Sequence, residues 1–416
     1  MSTTTSRYLN RLDGADTVDD RLNVTLPGTW EVYGFAGDDV ITVAAGTDGS
    51  DLLSGGSGRD RLTAANSNDL LDGRAGNDTL SGGGGNDVLI GGTGADSLNG
   101  GASEDSAAYR GSALGVTILL SSNASLPTRG SGGDAAGDIL VSIGHLAGSD
   151  QNDNLSGNNG ANRLLGRGGN DILRGSNGND TLIGDSVVDA DEDGVPDDAN
   201  GDGVPDGADD TAGGADILDG GNDNDALFGG GGNDSLIGGF GNDTLHGGAG
   251  DDLITAGFGA DSILGGAGND TVVAGSGNDR LFAGGGFDLI DYRLAAAGIA
   301  LNLSSPVGDA GGAAFGDTLN GFEAVWASDF DDTVLGGSAA DSLLGFGGND
   351  LLTGSLGRDT LDGGDGNDTL TGGRGSDLLL GGAGLDVALY VGSAAGVQVA
   401  LDGSFASSGG EAGRDV

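Results

Sequence analysis

Aliphatic and acidic residues recur along this chain with a period of nine. Between Asp216 and Asp288 an aspartate occupies every ninth position, and an aliphatic residue follows each one after two positions, from Leu218 to Ile290. That aliphatic residue lies between two residues that face the other way, which is the alternation of a short β-strand. The remaining six residues of each repeat are rich in glycine, as in tight turns. Nine residues therefore predict one turn followed by one strand.

A single nine-residue repeat is too short to enclose a core. Two repeats supply turn, strand, turn and strand, which close an 18-residue coil with both aliphatic residues inside. Glycine recurs too often along the chain for a helix to compete. We therefore predict an all-β solenoid built from stacked coils.

Four blocks carry this repeat, and the aspartates that keep its spacing are called in-phase aspartates. The blocks cover residues 34–108, 148–184, 211–291 and 327–389, and residues 1–33 form an N-terminal segment. In block 2 Asn162 takes the place of one in-phase aspartate. The in-phase aspartates are the outlying Asp39 and Asp51, Asp60, Asp69, Asp78, Asp87, Asp96 and Asp105 in block 1, Asp153, Asp171 and Asp180 in block 2, Asp216, Asp225, Asp234, Asp243, Asp252, Asp261, Asp270, Asp279 and Asp288 in block 3, and Asp332, Asp341, Asp350, Asp359, Asp368, Asp377 and Asp386 in block 4.

Three interludes interrupt the period in the same way. They begin at Tyr109, Tyr292 and Tyr390 and cover residues 109–147, 292–326 and 390–416. Each contains more apolar and fewer acidic residues than the blocks, so we interpret them as β-rich caps or joints; plain linkers are the alternative. The third interlude stops where the second continues into a new block. We therefore expect either a fragment of a longer protein or final strands supplied from elsewhere, with residues after about Val391 poorly packed.

Charge narrows the possible partners. The 416 residues include 92 glycines, 64 acidic and 16 basic residues and no cysteine, with a formal net charge of −48. Phosphate backbones need a basic surface, so a nucleic-acid partner is excluded, and the same charge argues against docking on an anionic membrane. Such a charge opposes compaction unless cations neutralise it. The N-terminus lacks the apolar region of a Sec signal peptide, and no apolar stretch is long enough to span a membrane.

The repeat itself resembles a known calcium-binding motif. Segments such as GGGGNDVLI (82–90) and GGFGNDTLH (238–246) are similar to the nonapeptide GGxGxDxUx of RTX, or hemolysin-type, proteins. The resemblance implies a right-handed parallel β-roll with calcium ions between successive coils. It also implies that each in-phase aspartate shares an ion with the one 18 residues further on. The alternative is that Asp and Gly only build turns, without metal.

An acidic insert, residues 185–210, carries a second metal signal. Its sequence DADEDGVPDDANGDGVPDGADD contains two overlapping D-x-D-x-D-G-like spacings, as in EF-hand loops. The insert resembles thrombospondin type 3 repeats, and a solvated acidic linker is the alternative. The candidate ligands in this insert are Asp189, Asp191, Asp193, Asp197, Asp198, Asn200, Asp202, Asp206 and Asp209.

No catalytic motif accompanies these signals, and we expect no enzyme. His145 and His246 are the only histidines, so HExxH is absent, as is a GxSxG nucleophile elbow. We therefore predict a calcium-binding protein that folds on calcium outside the cell. It would be a structural, adhesive or secretion-associated module, exported by a type I route or held at the cell surface, with a surface glycan or the rest of a larger protein as partner. The alternative is a polysaccharide-modifying enzyme on a β-solenoid, which aromatic and basic residues gathered on one face would favour.

Overall fold

A computed structural model describes residues 7–9, 19–25, 28–44, 49–122, 126–185, 213–304, 314 and 316–390. Clustering divides the chain into two compact units, unit 1 (Met1–Gly231) and unit 2 (Gly232–Val416), and their border falls inside block 3. Within the described ranges the chain forms β-strands and turns, with no α-helix.

In unit 1 successive strands of the blocks alternate between two sides of a parallel β-solenoid. The first side is one sheet, in the order β1 (Arg7–Leu9), β3 (Trp30–Ala36), β5 (Leu52–Ser57), β7 (Leu70–Ala75), β9 (Val88–Ile90), β11 (Ser106–Ala108), β15 (His145–Ala147), β17 (Arg163–Arg167), β19 (Thr181–Asp185) and β21 (Ala226–Gly231). A second sheet has the order β13 (Thr128–Arg129), β14 (Ile139–Val141), β10 (Ser97–Ala102), β8 (Thr79–Gly84), β6 (Arg61–Thr63), β4 (Val40–Val43) and β2 (Arg21–Val24). A third contains β12 (Thr117–Leu119), β16 (Asn154–Ser156), β18 (Ile172–Asn177) and β20 (Ile217–Asn222).

Unit 2 repeats this arrangement. One sheet contains β22 (Ser235–Phe240), β24 (Leu253–Phe258), β26 (Thr271–Val273), β28 (Leu289–Asp291), β31 (Ala324–Trp326), β33 (Ser342–Leu344), β35 (Thr360–Asp362) and β37 (Leu378–Leu380). Another contains β23 (Thr244–Ala249), β25 (Ser262–Ala267), β27 (Arg280–Gly285) and β30 (Thr318–Asn320). The last contains β29 (Ala300–Asn302), β32 (Thr333–Leu335), β34 (Leu351–Leu356), β36 (Thr369–Arg374) and β38 (Val387–Ala388).

The register confirms the predicted 18-residue coil. Leu53 on β5 pairs with Leu71 on β7, and Leu71 pairs with Leu89 on β9. These three side chains are 0% exposed, as are Leu62 and Leu80 from the second sheet. The aliphatic residue of each repeat therefore faces the interior, and the core is a stack of such residues along the solenoid.

The turns need glycine because neighbouring coils are close. At Gly76 φ is +140°, a conformation that L side chains rarely adopt. A Cβ at this position would lie 1.4 Å from the carbonyl oxygen of Gly58 in the preceding coil. Coils can therefore stack at the β-sheet spacing only where the turns lack side chains at such positions.

The described parts of the first two interludes continue the solenoid and add other elements. In the first, β15 pairs in parallel with β11 of block 1, whereas β13 pairs antiparallel with β14. A 3-10 helix, Gly133–Ala135, also lies in this interlude. Tyr109 and Ile143 are buried in the first interlude, and Tyr292 and Phe322 are buried in the second. Residues 391–416 of the third interlude lie outside the described residues.

Candidate metal centres

Each in-phase aspartate lies between a glycine-rich turn and the strand that follows it. This position turns the carboxylate toward the neighbouring coil rather than toward solvent. Every in-phase aspartate is 0–4% exposed, and Asn162 is 3% exposed. Aspartate is rarely buried to this extent unless it is paired, so the columns of carboxylates need a physical explanation.

One carboxylate oxygen of each aspartate is used in a ladder between coils. The backbone N–H of Asp51 donates to Oδ1 of Asp69 at 2.7 Å, and that of Asp69 donates to Oδ1 of Asp87 at 2.9 Å. In unit 2 the N–H of Asp252 donates to Oδ1 of Asp270 at 3.0 Å. The spacing is 18 residues within the blocks, but Asp39 is followed by Asp60, 21 residues on. Oδ1 is therefore satisfied by the protein.

The second carboxylate oxygen is buried and has no hydrogen-bond partner along most of each column. This holds for Oδ2 of Asp60, Asp69, Asp78, Asp87, Asp96, Asp105, Asp171 and Asp180 in unit 1 and of Asp252, Asp261, Asp270, Asp279, Asp288, Asp350, Asp359, Asp368 and Asp386 in unit 2. Native structures leave few buried polar atoms unsatisfied, and a bound ion is one of the recognised explanations.

Glycine in the turns leaves these carboxylate oxygens close to carbonyl oxygens of the next coil. A Cβ built on Gly73 would lie 2.6 Å from Oδ2 of Asp78 and 2.7 Å from the carbonyl oxygen of Gly91 in the next coil. Both distances are too short for a carbon atom, so a side chain at Gly73 would fill the space between a carboxylate and a carbonyl oxygen, which are the two kinds of oxygen that calcium binds in proteins. No group of three or more Asp, Glu or His residues that could hold a metal occurs in the described part of the chain, so backbone carbonyls would have to complete each site.

The electrostatics of the columns also favour a cation. Burial raises the pKa of Asp78 to about 7; the hydrogen bond from the Asp60 N–H opposes this shift, and the carboxylates of Asp96 and Asp60 add to it. The same causes raise the pKa of Asp171 to about 8 and that of Asp252 to about 7. The ionised form is therefore unfavourable at neutral pH unless a positive charge compensates it.

Two aspartates that were not among the predicted ligands also belong to the columns. The N–H of Asp96 donates to Oδ1 of Asp138 at 2.7 Å, and that of Asp279 donates to Oδ1 of Asp317 at 2.9 Å. Both residues lie in interludes, 42 and 38 residues further on, which the strict spacing does not reach. The signal for them is local, because GDIL (137–140) and GDTL (316–319) retain the aspartate and the following aliphatic residue.

The first in-phase aspartate of blocks 2 and 4 has a different environment. The N–H and the hydroxyl of Ser149 donate to Asp153, at 2.6 and 3.3 Å from its Oδ2. Ser328 donates in the same way to Oδ2 of Asp332, at 2.8 and 3.0 Å. The oxygen that has no partner along most of each column is thus satisfied by protein groups at these positions.

Asn162 places an uncharged amide in the column of carboxylates. Its Oδ1 accepts from the N–H of Asn158 at 2.6 Å, and its Nδ2 donates to the carbonyl oxygen of Gly144 at 2.7 Å. Its own N–H still donates to Oδ1 of Asp180, at 2.8 Å. The side chain therefore keeps the ladder intact without adding a charge.

The predicted ligands of the acidic insert cannot be placed in this geometry. They lie within residues 186–212, outside the described residues, and comprise Asp189, Asp191, Asp193, Asp197, Asp198, Asn200, Asp202, Asp206 and Asp209.

Unit 1 also contains a cleft of about 500 Å³ along its first sheet. Its walls include Trp30, Glu31, Glu104, His145 and Arg163. Nδ1 of His145 accepts from the Arg163 N–H at 2.9 Å, and its Nε2 lies 3.8 Å from Glu104. Burial lowers the pKa of His145, so the imidazole is neutral at neutral pH. Among the described residues, no helix has the length and hydrophobicity needed to span a membrane.

Comparison with known families agrees with the geometry. The sequence model of the RTX calcium-binding nonapeptide repeat (4 copies) matches residues 31–49, 45–80, 81–107, 147–186, 210–236, 228–263, 255–290, 326–361 and 353–388. A comparison with curated proteins finds no match. The family matches include all four blocks and more than half of the chain. With its parallel β-solenoid and its columns of buried aspartates, this calcium-binding chain belongs to the RTX nonapeptide-repeat family.

Proposed function

We propose that the in-phase carboxylates hold calcium ions between successive coils, and that these ions make folding of the roll thermodynamically favourable. The observation that carries this proposal is the row of buried Oδ2 atoms without hydrogen-bond partners. Removing an ionised carboxylate from water costs several kcal/mol when nothing compensates the charge. Repetition of that cost along each column would prevent folding at neutral pH. A divalent cation between carboxylates of adjacent coils offsets it.

The donor set favours calcium over other divalent ions. Oδ2 of Asp78 and the carbonyl oxygen of Gly91 represent the two kinds of ligand that each coil boundary offers. Calcium accepts six to eight such oxygens with flexible geometry, whereas magnesium demands shorter bonds in an octahedron. With no cysteine in the chain, thiolate ligands for softer metals are absent. The in-phase aspartates and the acidic insert are the proposed ligands.

Coupling between calcium and folding would serve export. The chain would remain unfolded in a cytosol that is low in calcium and fold in an extracellular medium with millimolar calcium. Ions that bind only the folded state stabilise it by mass action. The RTX resemblance supports a type I route and a structural or adhesive role at or beyond the cell surface.

Equilibrium dialysis combined with circular dichroism tests this proposal. The full chain is titrated with calcium after removal of metal by chelator, and bound calcium is counted at each step. We expect many ions per chain, with β-structure appearing over the same concentration range. Stoichiometric binding with no change in structure would refute the coupling, and absence of binding would refute the metal sites.

A further inference from the structure

The first interlude satisfies its buried column carboxylate with a tyrosine. Oδ1 of Asp138 accepts from the N–H of Asp96, as in the blocks. Its Oδ2, the oxygen that lacks a partner at Asp96, accepts from the Tyr109 hydroxyl at 3.0 Å. Tyr109 is 2% exposed, so this hydrogen bond is protected from water. A neutral donor of the protein thus occupies the role that a cation would have in the blocks.

The coil that follows this interlude is satisfied in the same way. Oδ1 of Asp153 accepts from the N–H of Val116 at 2.6 Å, and Ser149 supplies two donors to Oδ2. The two carboxylates that join the interlude to block 2 therefore find their partners within the chain.

The second interlude repeats the arrangement independently. The Tyr292 hydroxyl donates to Oδ2 of Asp317 at 2.9 Å. The backbone N–H groups of Ile299 and Ser328 donate to Asp332. They take the places that Val116 and Ser149 have beside Asp153. Recurrence in both units shows that tyrosine takes a defined position relative to the columns. The spacing between the tyrosine and the aspartate differs, 29 residues against 25, so the shared geometry is not a consequence of identical loops.

Packing distinguishes the interludes from the coils of the blocks. A coil of the block repeat buries two aliphatic side chains, one from each strand. The first interlude, about twice as long as a coil, buries seven large apolar side chains where two coils of the block repeat would bury four: Tyr109, Val116, Ile118, Leu120, Leu140, Ile143 and Leu146. Burial of apolar surface stabilises a fold without any metal. The interludes thus combine a larger apolar core with carboxylates that need no cation.

We propose that the first two interludes, together with the block strands that pair with theirs, fold without calcium and serve as the nuclei on which the remaining, calcium-dependent coils assemble. This inference rests on the proposed function, because it divides the chain into metal-dependent and metal-independent parts. Assembly on an existing nucleus avoids the unfavourable step of forming the first coil, since each further coil adds to a sheet edge that is already formed.

Hydrogen exchange of the full chain, in excess chelator and in saturating calcium, tests the proposal. In chelator we expect amides in residues 138–147 and 317–326 to exchange at least tenfold more slowly than amides in residues 70–84 and 244–267. In calcium all four regions should be protected. If interlude amides exchange as fast as block amides in chelator, the proposal is wrong.

Tyr109→Phe isolates the hydroxyl from the rest of the side chain. In chelator this variant should lose protection in residues 138–147 by tenfold or more, whereas residues 317–326 act as an internal reference. Tyr33→Phe removes a hydroxyl that lies 3.5 Å from Glu31 and should leave both interludes unchanged. If Tyr109→Phe leaves the protection intact, the assigned role of the hydroxyl is wrong.

The outcomes separate this inference from the proposed function. If block amides gain protection with calcium, but interlude and block amides are equally protected in both conditions, the inference alone is overturned. Block amides that are equally protected with and without calcium would overturn the proposed function, and the division of the chain with it.

Discussion

The Tyr109 hydroxyl donates to Oδ2 of Asp138, whereas the equivalent oxygen of Asp96, one coil earlier, has no hydrogen-bond partner. Both aspartates belong to one column and both are 0–1% exposed. The same buried carboxylate thus occurs in two chemical environments, one with a protein donor on Oδ2 and one without. On the proposed function, this difference places the dependence on calcium in the blocks.

Asp252→Ala should weaken calcium-dependent folding more than the substitution of an aspartate that has an uncharged neighbour in its column. Asp252 accepts from the Asp234 N–H at 2.8 Å and donates to Oδ1 of Asp270, so it can share ions on both sides. At calcium tenfold above the dissociation constant each lost ion costs about 1.4 kcal/mol, which gives about 3 kcal/mol for two ions. The loss is measured by thermal unfolding at fixed free calcium.

The matched variant is Asp180→Ala. Asp180 has a carboxylate neighbour on one side, Asp225, and the amide of Asn162 on the other. Loss of one shared ion predicts about 1.4 kcal/mol under the same conditions. Equal losses for Asp252→Ala and Asp180→Ala would contradict the sharing of ions along the columns.

Acidification should stabilise the metal-free roll. The pKa is raised to about 8 for Asp171, about 7 for Asp78 and about 6 for Asp261, with burial as the largest cause, against about 4 for an unfolded aspartate. The folded state therefore binds more protons between these values, and stability is lost as pH rises through about 6 to 8. Circular dichroism in chelator should show more β-structure at pH 5.5 than at pH 7.5.

Calcium binding should have the opposite pH dependence, because the ion must displace those protons. The calcium midpoint of folding should rise as pH falls from 7.5 to 5.5, and protons should be released on binding. A midpoint that is independent of pH would show that the buried carboxylates are not the ligands.

Gly76→Ala should disrupt the stacking of coils. The added methyl group would meet the carbonyl oxygen of Gly58, at a φ of +140°. We expect a loss of more than about 1 kcal/mol, beyond the usual difference between glycine and alanine. Gly285→Ala is the control, because no atom lies within 4 Å of its Cβ position. Equal stability of both variants in thermal unfolding with calcium would contradict the close contact between the turns at Gly58 and Gly76.

Magnesium should not replace calcium in compaction. In chelator the radius of gyration should approach the roughly 75 Å expected for an unfolded chain of this length. Calcium should reduce it sharply, and magnesium at the same concentration should not, because octahedral magnesium does not fit flexible sites of carbonyl and carboxylate oxygens. Small-angle scattering measures the difference, and a compact chain in chelator would contradict the prediction.

Local chemistry accounts for what could be predicted from sequence. The turn and strand of each repeat depend on nine consecutive residues, so the burial of Leu71 and Leu80 and the 18-residue coil follow from the pattern. The buried position of Asp78 follows as well, because an aspartate two residues before an inward aliphatic side chain lies at the same corner of every coil. The family was recognisable for the same reason.

Contacts between coils that are distant in sequence could not be predicted in this way. The repeat predicts a partner 18 residues after Asp96, yet the next carboxylate in its column is Asp138, 42 residues on. The length of the intervening interlude decides this partner, and no period encodes that length.

By itself, the sequence determined the all-β fold, the coil and the columns of aspartates, because each is repeated within a few residues. Only the tertiary structure decided which carboxylate oxygens are satisfied. Tyr109 approaches Asp138, and Ser149 approaches Asp153, only after the interlude has folded back onto the solenoid. A hydrogen bond depends on distances of a few tenths of an ångström, and those are set by packing of the whole chain segment rather than by residue type or spacing.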